Sequence, residues 1–304
     1  MAMETSNLNA SYDFSPCIPW LVASIAECLA IVILNLFTII VFVKQRHLQR
    51  RSTYLIIHMA IIDLLAGAVS GPLIVYDILG LYCDLRKETD TIYPLAHFFP
   101  MASIVNLAVI SLERMHVTIF PFEHRVIERR VYGIVIAAIW FLTSLREIVD
   151  FVLYETQGNS HLAISFSTIT LASFGSLSLI LICVSYISIF IQVRFSPTPQ
   201  QHGATNRESK LTATILIATF ASLLTWLPVT TFRVVKYLHV GLLSGCYTQR
   251  FSFHIKMTLA ALVGANSLAN PIVYAIRMPE FRAGIVKMFC RSPSTTSEAD
   301  IIYL

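Results

Sequence analysis

Three groups of polar residues stand in apolar surroundings, where their chemistry needs a reason. Asp63, in HMAIIDLLAGAV, lies deep inside an apolar run, and Asn35, Ser103, Asn266, Ser267 and Asn270 lie inside others. A carboxylate with neutral oxygen ligands suits a hard cation or a proton. The alternative is a buried acid that only packs, and spacing alone does not show that the oxygens converge. Glu113 and Arg114, in SLERMHVTIF, place a carboxylate beside a guanidinium at the foot of the run 95–112. Such a pair is either a switchable ion pair or a snorkelling arginine beside a helix-end glutamate. Pro228, after Trp226 in LLTWLPVTTF, and Pro271, after Asn270 in ANSLANPIVYAIR, fall within helix-length runs. Each removes a backbone hydrogen bond and bends its helix, leaving a static bend or a pivot. No His/Asp or Cys/His metal-ligand spacing occurs in these runs, so no catalytic residues and no enzyme are expected, and no cofactor beyond a small ion.

The elements that carry these groups are membrane helices. The 304 residues are 56% hydrophobic and only 13% charged, far from the composition of a soluble domain. Crossing about 30 Å of hydrocarbon takes about 20 helical residues. Seven runs suffice: 18–43, 54–81, 95–120, 131–154, 162–193, 211–238 and 253–276. The expected fold is an all-α membrane protein: a head (1–17), a seven-helix bundle (18–276), an amphipathic eighth helix (277–290) and a tail (291–304). In FRAGIVKMFC, Phe281, Ile285, Met288 and Phe289 share one face, with Arg282 and Lys287 elsewhere, which suits the lipid interface.

Orientation follows from the basic residues of the short loops. Lys44, Arg46, Arg50 and Arg51, then Arg125, Arg129 and Arg130, then Arg194, Arg207 and Lys210, then Arg277, Arg282, Lys287 and Arg291 all fall on one side. That side is cytoplasmic and the head extracellular, although CDLRKETD shows that outer loops also carry basic residues. Asn9-Ala10-Ser11 is a glycosylation acceptor on the expected outer side. The head carries Glu4 and Asp13 and no basic residue, unlike a cleaved leader. The net charge of +4 reflects the inner-side bias and implies no nucleic-acid partner.

Together these residues resemble the rhodopsin-like family of G-protein-coupled receptors, across all seven helices. The landmarks are Asn35, Asp63, Glu113-Arg114, Trp140, Trp226-x-Pro228 and Asn270-Pro271-Ile272-Val273-Tyr274, one set for each helix but the fifth. There Tyr186 fits, while Ser178 stands where a proline is usual. The resemblance implies a plasma-membrane receptor that passes an extracellular signal to a heterotrimeric G protein. Glu113 and, twenty residues before Pro228, Glu208 would hold Arg114 at rest. Outward movement of the sixth helix would open a crevice for a Gα helix, with Pro121 and Phe122 as further contacts. Asp63, Ser103, Asn266, Ser267 and Asn270 look like the family's sodium pocket. Cys290 matches a common palmitoylation position. The tail cluster Ser292, Ser294, Thr295, Thr296 and Ser297 would serve kinases and arrestin-like proteins once phosphorylated.

Several departures stand against this pattern. The usual disulfide from the third helix to the second outer loop cannot form, because Thr89 occupies the helix position and YETQGNSHLA has no cysteine. Cys17, Cys83 and Cys246 face outward and allow three pairings, of which Cys17–Cys246 is preferred; Cys28 and Cys183 are expected inside the bundle. Met115, Thr225 and Ser222 replace residues usual beside the latch and the kink. Ala96 stands where amine receptors carry an aspartate, and Gly264 where opsins carry the Schiff-base lysine, Lys256 lying about two turns further out. An amine ligand and retinal are therefore disfavoured, and the ligand is otherwise unknown. Ala96, His97, Arg146, Trp226, Arg233 and Lys256 are the candidate pocket residues. Arg233 and Lys256 suit a carboxylate or phosphate unless, with Arg146, they are already paired with Glu147 and Asp150. The rival class is a seven-helix ion- or proton-coupled transporter or channel using Asp63 and Glu27. It would lack the internal repeat common in transporters and would leave the latch motif unexplained.

Overall fold

The computed structural model describes residues 17–45, 53–82, 93–124, 126–157, 160–195, 205–238 and 249–289. Its seven long spans are Cys17–Lys44; Thr53–Leu65 continued through a π-helical turn, Ala66–Ser70, into Gly71–Tyr82; Tyr93–Ile119; Arg129–Gln157; His161–Phe195; Thr205–Leu238; and Gln249–Arg277. A one-turn helix, Pro121–His124, follows the third span, and Pro279–Phe289 follows the seventh. Every expected span is present. The sixth begins at Thr205 rather than 211, so its helical inner end runs on through a polar stretch. Five of the spans are long and apolar enough to cross a bilayer, and the fourth and sixth complete the bundle.

The chain folds this way because each helix is apolar nearly all round and must find either a neighbour or lipid. Ile134, Phe141, Leu177 and Phe190 remain on the outside, the expected face towards hydrocarbon. Cys183 belongs with them: it is exposed on the fifth span rather than inside the bundle, because the helical period turns it away from the core residues Leu179 and Ile182. The third span occupies the centre and packs on the second, fourth and fifth.

Two apolar layers brace the polar interior. In the inner half Phe42, Leu55, Met59, Leu107, Tyr274 and Phe281 form one cluster. Phe42 meets Tyr274 edge-on at 6.0 Å and Phe281 at 5.4 Å, which docks the amphipathic helix on the first span. In the outer half Met101, Ile104, Leu171, Leu179 and Trp226 pack together. The π turn lies just before Pro72, which has no amide proton for the carbonyl four residues back. It brings Gly67 so close to the first span that a Cβ there would lie 2.6 Å from Ile31 Cγ2.

Candidate functional site

The polar residues converge at mid-bundle. Asp63 is wholly buried, and Ser103 and Ser267 donate to its Oδ1 at 2.8 and 2.9 Å while Asn270 donates to Oδ2 at 2.8 Å. Three donors on two oxygens is a pattern that an ionised, acceptor-only carboxylate satisfies. Asn266 closes the ring by donating to Ser103 Oγ at 3.4 Å. Pro271 explains part of this order: without an amide proton it frees the carbonyl of Ser267, one turn earlier. Asn35 donates to that carbonyl at 3.1 Å, so the compensation comes from the first span and not from Asn270, whose amide is spent on Asp63. The side-chain oxygens of Asn35, Asn266 and Asn270 are buried with no hydrogen-bond partner. Orphaned acceptors beside a carboxylate are what a hard cation or ordered water satisfies. The five residues named for sodium therefore do come together.

At the inner end of the third span Arg114 donates to Glu113 Oε2 at 2.7 Å and is 2% exposed. Tyr132, from the fourth span, donates to the other glutamate oxygen at 2.8 Å, and His124 Nε2 stands 3.9 Å from it. Tyr186 packs at the edge of the inner apolar cluster and Tyr274 inside it. Glu208 lies on the sixth helix, but its side chain is outside the described residues. Phe122, on the one-turn helix after Pro121, is 79% exposed, an apolar knob with nothing yet against it.

Towards the outer face a cavity of about 290 Å³ is lined by Ala96, His97, Trp226, Arg233 and Lys256, five of the six residues expected there. Trp226 forms its floor, with the indole Nε1 unpartnered. The sixth, Arg146, does not line it: its guanidinium binds Glu147 and, at 3.2 Å, Asp150, which also accepts from Ser167 at 2.8 Å. Asp77 is on the cavity wall and was missed, since one acid near a helix end carries no distinguishing signal. Also missed was a contact between His58 and Asn106 at 3.0 Å, with Trp140 edge-on to the imidazole at 5.7 Å. Separated by 48 positions, that pair is invisible without the packing of spans two and three. Cys17 is disulfide-bonded, to a partner outside the described residues. Asn9, Cys246, Cys290 and the phosphorylation cluster also lie outside them.

Comparison with known proteins shows the family. The profile of the 7 transmembrane receptor (rhodopsin family) matches residues 34–274, from just before Asn35 to Tyr274. The chain belongs to that family. The receptor is 27% identical over 270 residues to the histamine H2 receptor of Homo sapiens, covering 81% of this chain and 72% of that one. It is 25% identical over 281 residues to melanocortin receptor 5 of Homo sapiens, covering 84% and 79%. To pinopsin of Gallus gallus it is 24% identical over 307 residues, covering 92% and 82%. It is a G-protein-coupled receptor and a multi-pass membrane protein, of a family of receptors and not of enzymes.

Proposed function

We propose that the receptor lies in the plasma membrane with its N-terminus outside. It binds an extracellular ligand in the cavity above Trp226 and passes the signal to a heterotrimeric G protein by outward movement of the inner half of the sixth span. The observation that carries this reading is the buried Glu113–Arg114 pair at the inner end of the third span, beside the exposed Phe122. A buried ion pair contributes little net stability yet responds strongly to the loss of one partner, which suits a latch. Pro228 supplies the pivot and Glu208 the second hold on Arg114. Once the latch is released, a Gα helix fills the crevice lined by Arg114, with Pro121 and Phe122 at its rim.

Sodium at the Asp63 cluster stabilises the resting form by population shift, its ligands drawn from Asp63, Ser103, Asn266, Ser267 and Asn270, two of which carry orphaned amide oxygens. Ala96 argues against an amine ligand, although one relative is named for histamine. Gly264 argues against retinal, although another is an opsin by name. Arg233 and Lys256 in the cavity wall favour a ligand with an acidic group. Kinases and arrestin-like proteins act on the serine- and threonine-rich tail. Cys290 anchors the amphipathic helix to lipid, Asn9 carries a glycan, and Cys246 pairs with Cys17.

The test is nucleotide exchange on a panel of purified Gα subunits by membranes holding equal surface amounts of receptor. Glu208→Ala raises exchange without ligand several-fold. Unchanged basal exchange on every subunit counts against the latch.

A further inference from the structure

Glu27, on the first span, points at the seventh. A Cβ at Gly264 would lie 2.6 Å from Glu27 Oε1 and 2.7 Å from its carboxyl carbon, so the carboxyl group occupies the space that any larger residue at 264 would take. It makes no hydrogen bond or ion pair with any described residue. A carboxylate at this depth is costly unless something compensates it.

The surroundings suit a small cation. A cavity of about 40 Å³ is lined by Glu27, Ser24, Ser267 and the flank of Gly264, room for one ion or water. Ser24 is 8% exposed, and its hydroxyl has no partner among the described residues, although a serine within a helix readily bonds the carbonyl one turn back. Ser267 lines the same cavity and donates to Asp63. On its outer side the cavity shares Ile74, Pro100, Ala260 and Val263 with the larger one that holds Asp77. Three carboxylates from two spans thus lie about neighbouring spaces: Asp77 lines the outer cavity, Glu27 the smaller one, and Asp63 accepts from Ser267, which lines the smaller one too.

We propose that Glu27, with the hydroxyls of Ser24 and Ser267, forms a second monovalent-cation site stacked outward of Asp63, through which sodium exchanges between the outer cavity and the Asp63 cluster. One carboxylate balances one monovalent charge, whereas a divalent ion calls for more anionic oxygens than this cavity offers. Arg233 and Lys256 share the outer cavity with Asp77, so the affinity for a cation resides at the smaller cavity, with Glu27, and not at the outer wall. The idea rests on the sodium reading of Asp63 for its lower end only; the Glu27 site stands on its own geometry.

The experiment follows thermal unfolding of the full-length receptor in lipid nanodiscs as sodium chloride replaces choline chloride at constant ionic strength. Glu27→Gln raises the half-saturating sodium concentration about tenfold. Gly264→Ala keeps the charge but crowds the carboxyl, and shifts the midpoint in the same direction; it carries the test if Glu27→Gln does not fold. Asp63→Asn leaves a weak sodium-dependent stabilisation that adding Glu27→Gln removes. A sodium response lost in Asp63→Asn but unaltered in both Glu27→Gln and Gly264→Ala overturns the second site and leaves the Asp63 reading intact. A response retained in full by Asp63→Asn and lost in Glu27→Gln does the opposite. No sodium response in the parent overturns both.

Discussion

Arg114 and Arg146 each stand beside a glutamate on the same helix, and each is almost wholly buried, at 2% and 6% exposure. Their settings differ. Arg146 faces two carboxylates from its own helix, Glu147 and Asp150, and Ser167 from the fifth span ties Asp150 down. Among the described residues Arg114 meets one carboxylate, whose second oxygen is held by Tyr132 from the fourth span. The first cluster draws nearly everything from the rigid faces of spans four and five, so no bundle motion is needed to complete or undo it. The second sits at the inner end of the bundle, beside the exposed Phe122 and across from the sixth span, which carries Pro228. In the proposed function the same pair of residue types makes a fixed brace in one place and a releasable latch in the other, and the difference lies in where the partners are anchored.

Breaking the brace has the largest effect on stability. Arg146→Ala leaves two buried carboxylates without their cation and lowers the stability of the purified receptor by about 3–5 kcal/mol, seen as a large fall in its unfolding temperature. Basal nucleotide exchange per folded receptor stays at the parent value; a rise would erase the distinction from Arg114. At the latch the order reverses. Glu113→Gln removes charge but not shape, and a change of about 1.4 kcal/mol in the resting-to-active balance raises the active-to-resting ratio about tenfold. Basal exchange should rise accordingly, with a small change in unfolding temperature. The smallest pair of effects sharpens the contrast. Tyr132→Phe and Ser167→Ala each delete one hydrogen bond to a carboxylate and leave its ion pair with arginine in place. Only Tyr132→Phe raises basal exchange, and equal effects from both would show that the two clusters are not functionally distinct.

Much of this was legible before any coordinates. Apolar runs revealed seven helices because a membrane span leaves a long, nearly unbroken signal. The Asp63 residues stood out one by one, since polar groups in apolar runs are conspicuous; their convergence needed the fold. Other features have no such signature. The π turn at Ala66–Ser70 stands just ahead of Pro72, which has no amide proton for the carbonyl of Ala68, but a proline by itself does not distinguish a π turn from an ordinary bend. Asn35, rather than Asn270, meets the carbonyl freed by Pro271 because the first and seventh spans touch there. Arg146 carried the same sequence signal as Arg233 and Lys256, and only the fold shows that it lies against Glu147 and Asp150 while the other two line the cavity.

The central claim is that the inner half of the sixth span moves away from Arg114 when the receptor activates. The most direct measurement joins the inner ends of the third and sixth spans by a short, reducible cross-link in membranes and follows nucleotide exchange on Gα before and after reduction. Exchange should be lost with the link intact and return on reduction. Undiminished exchange on every Gα subclass with the link in place would contradict the account.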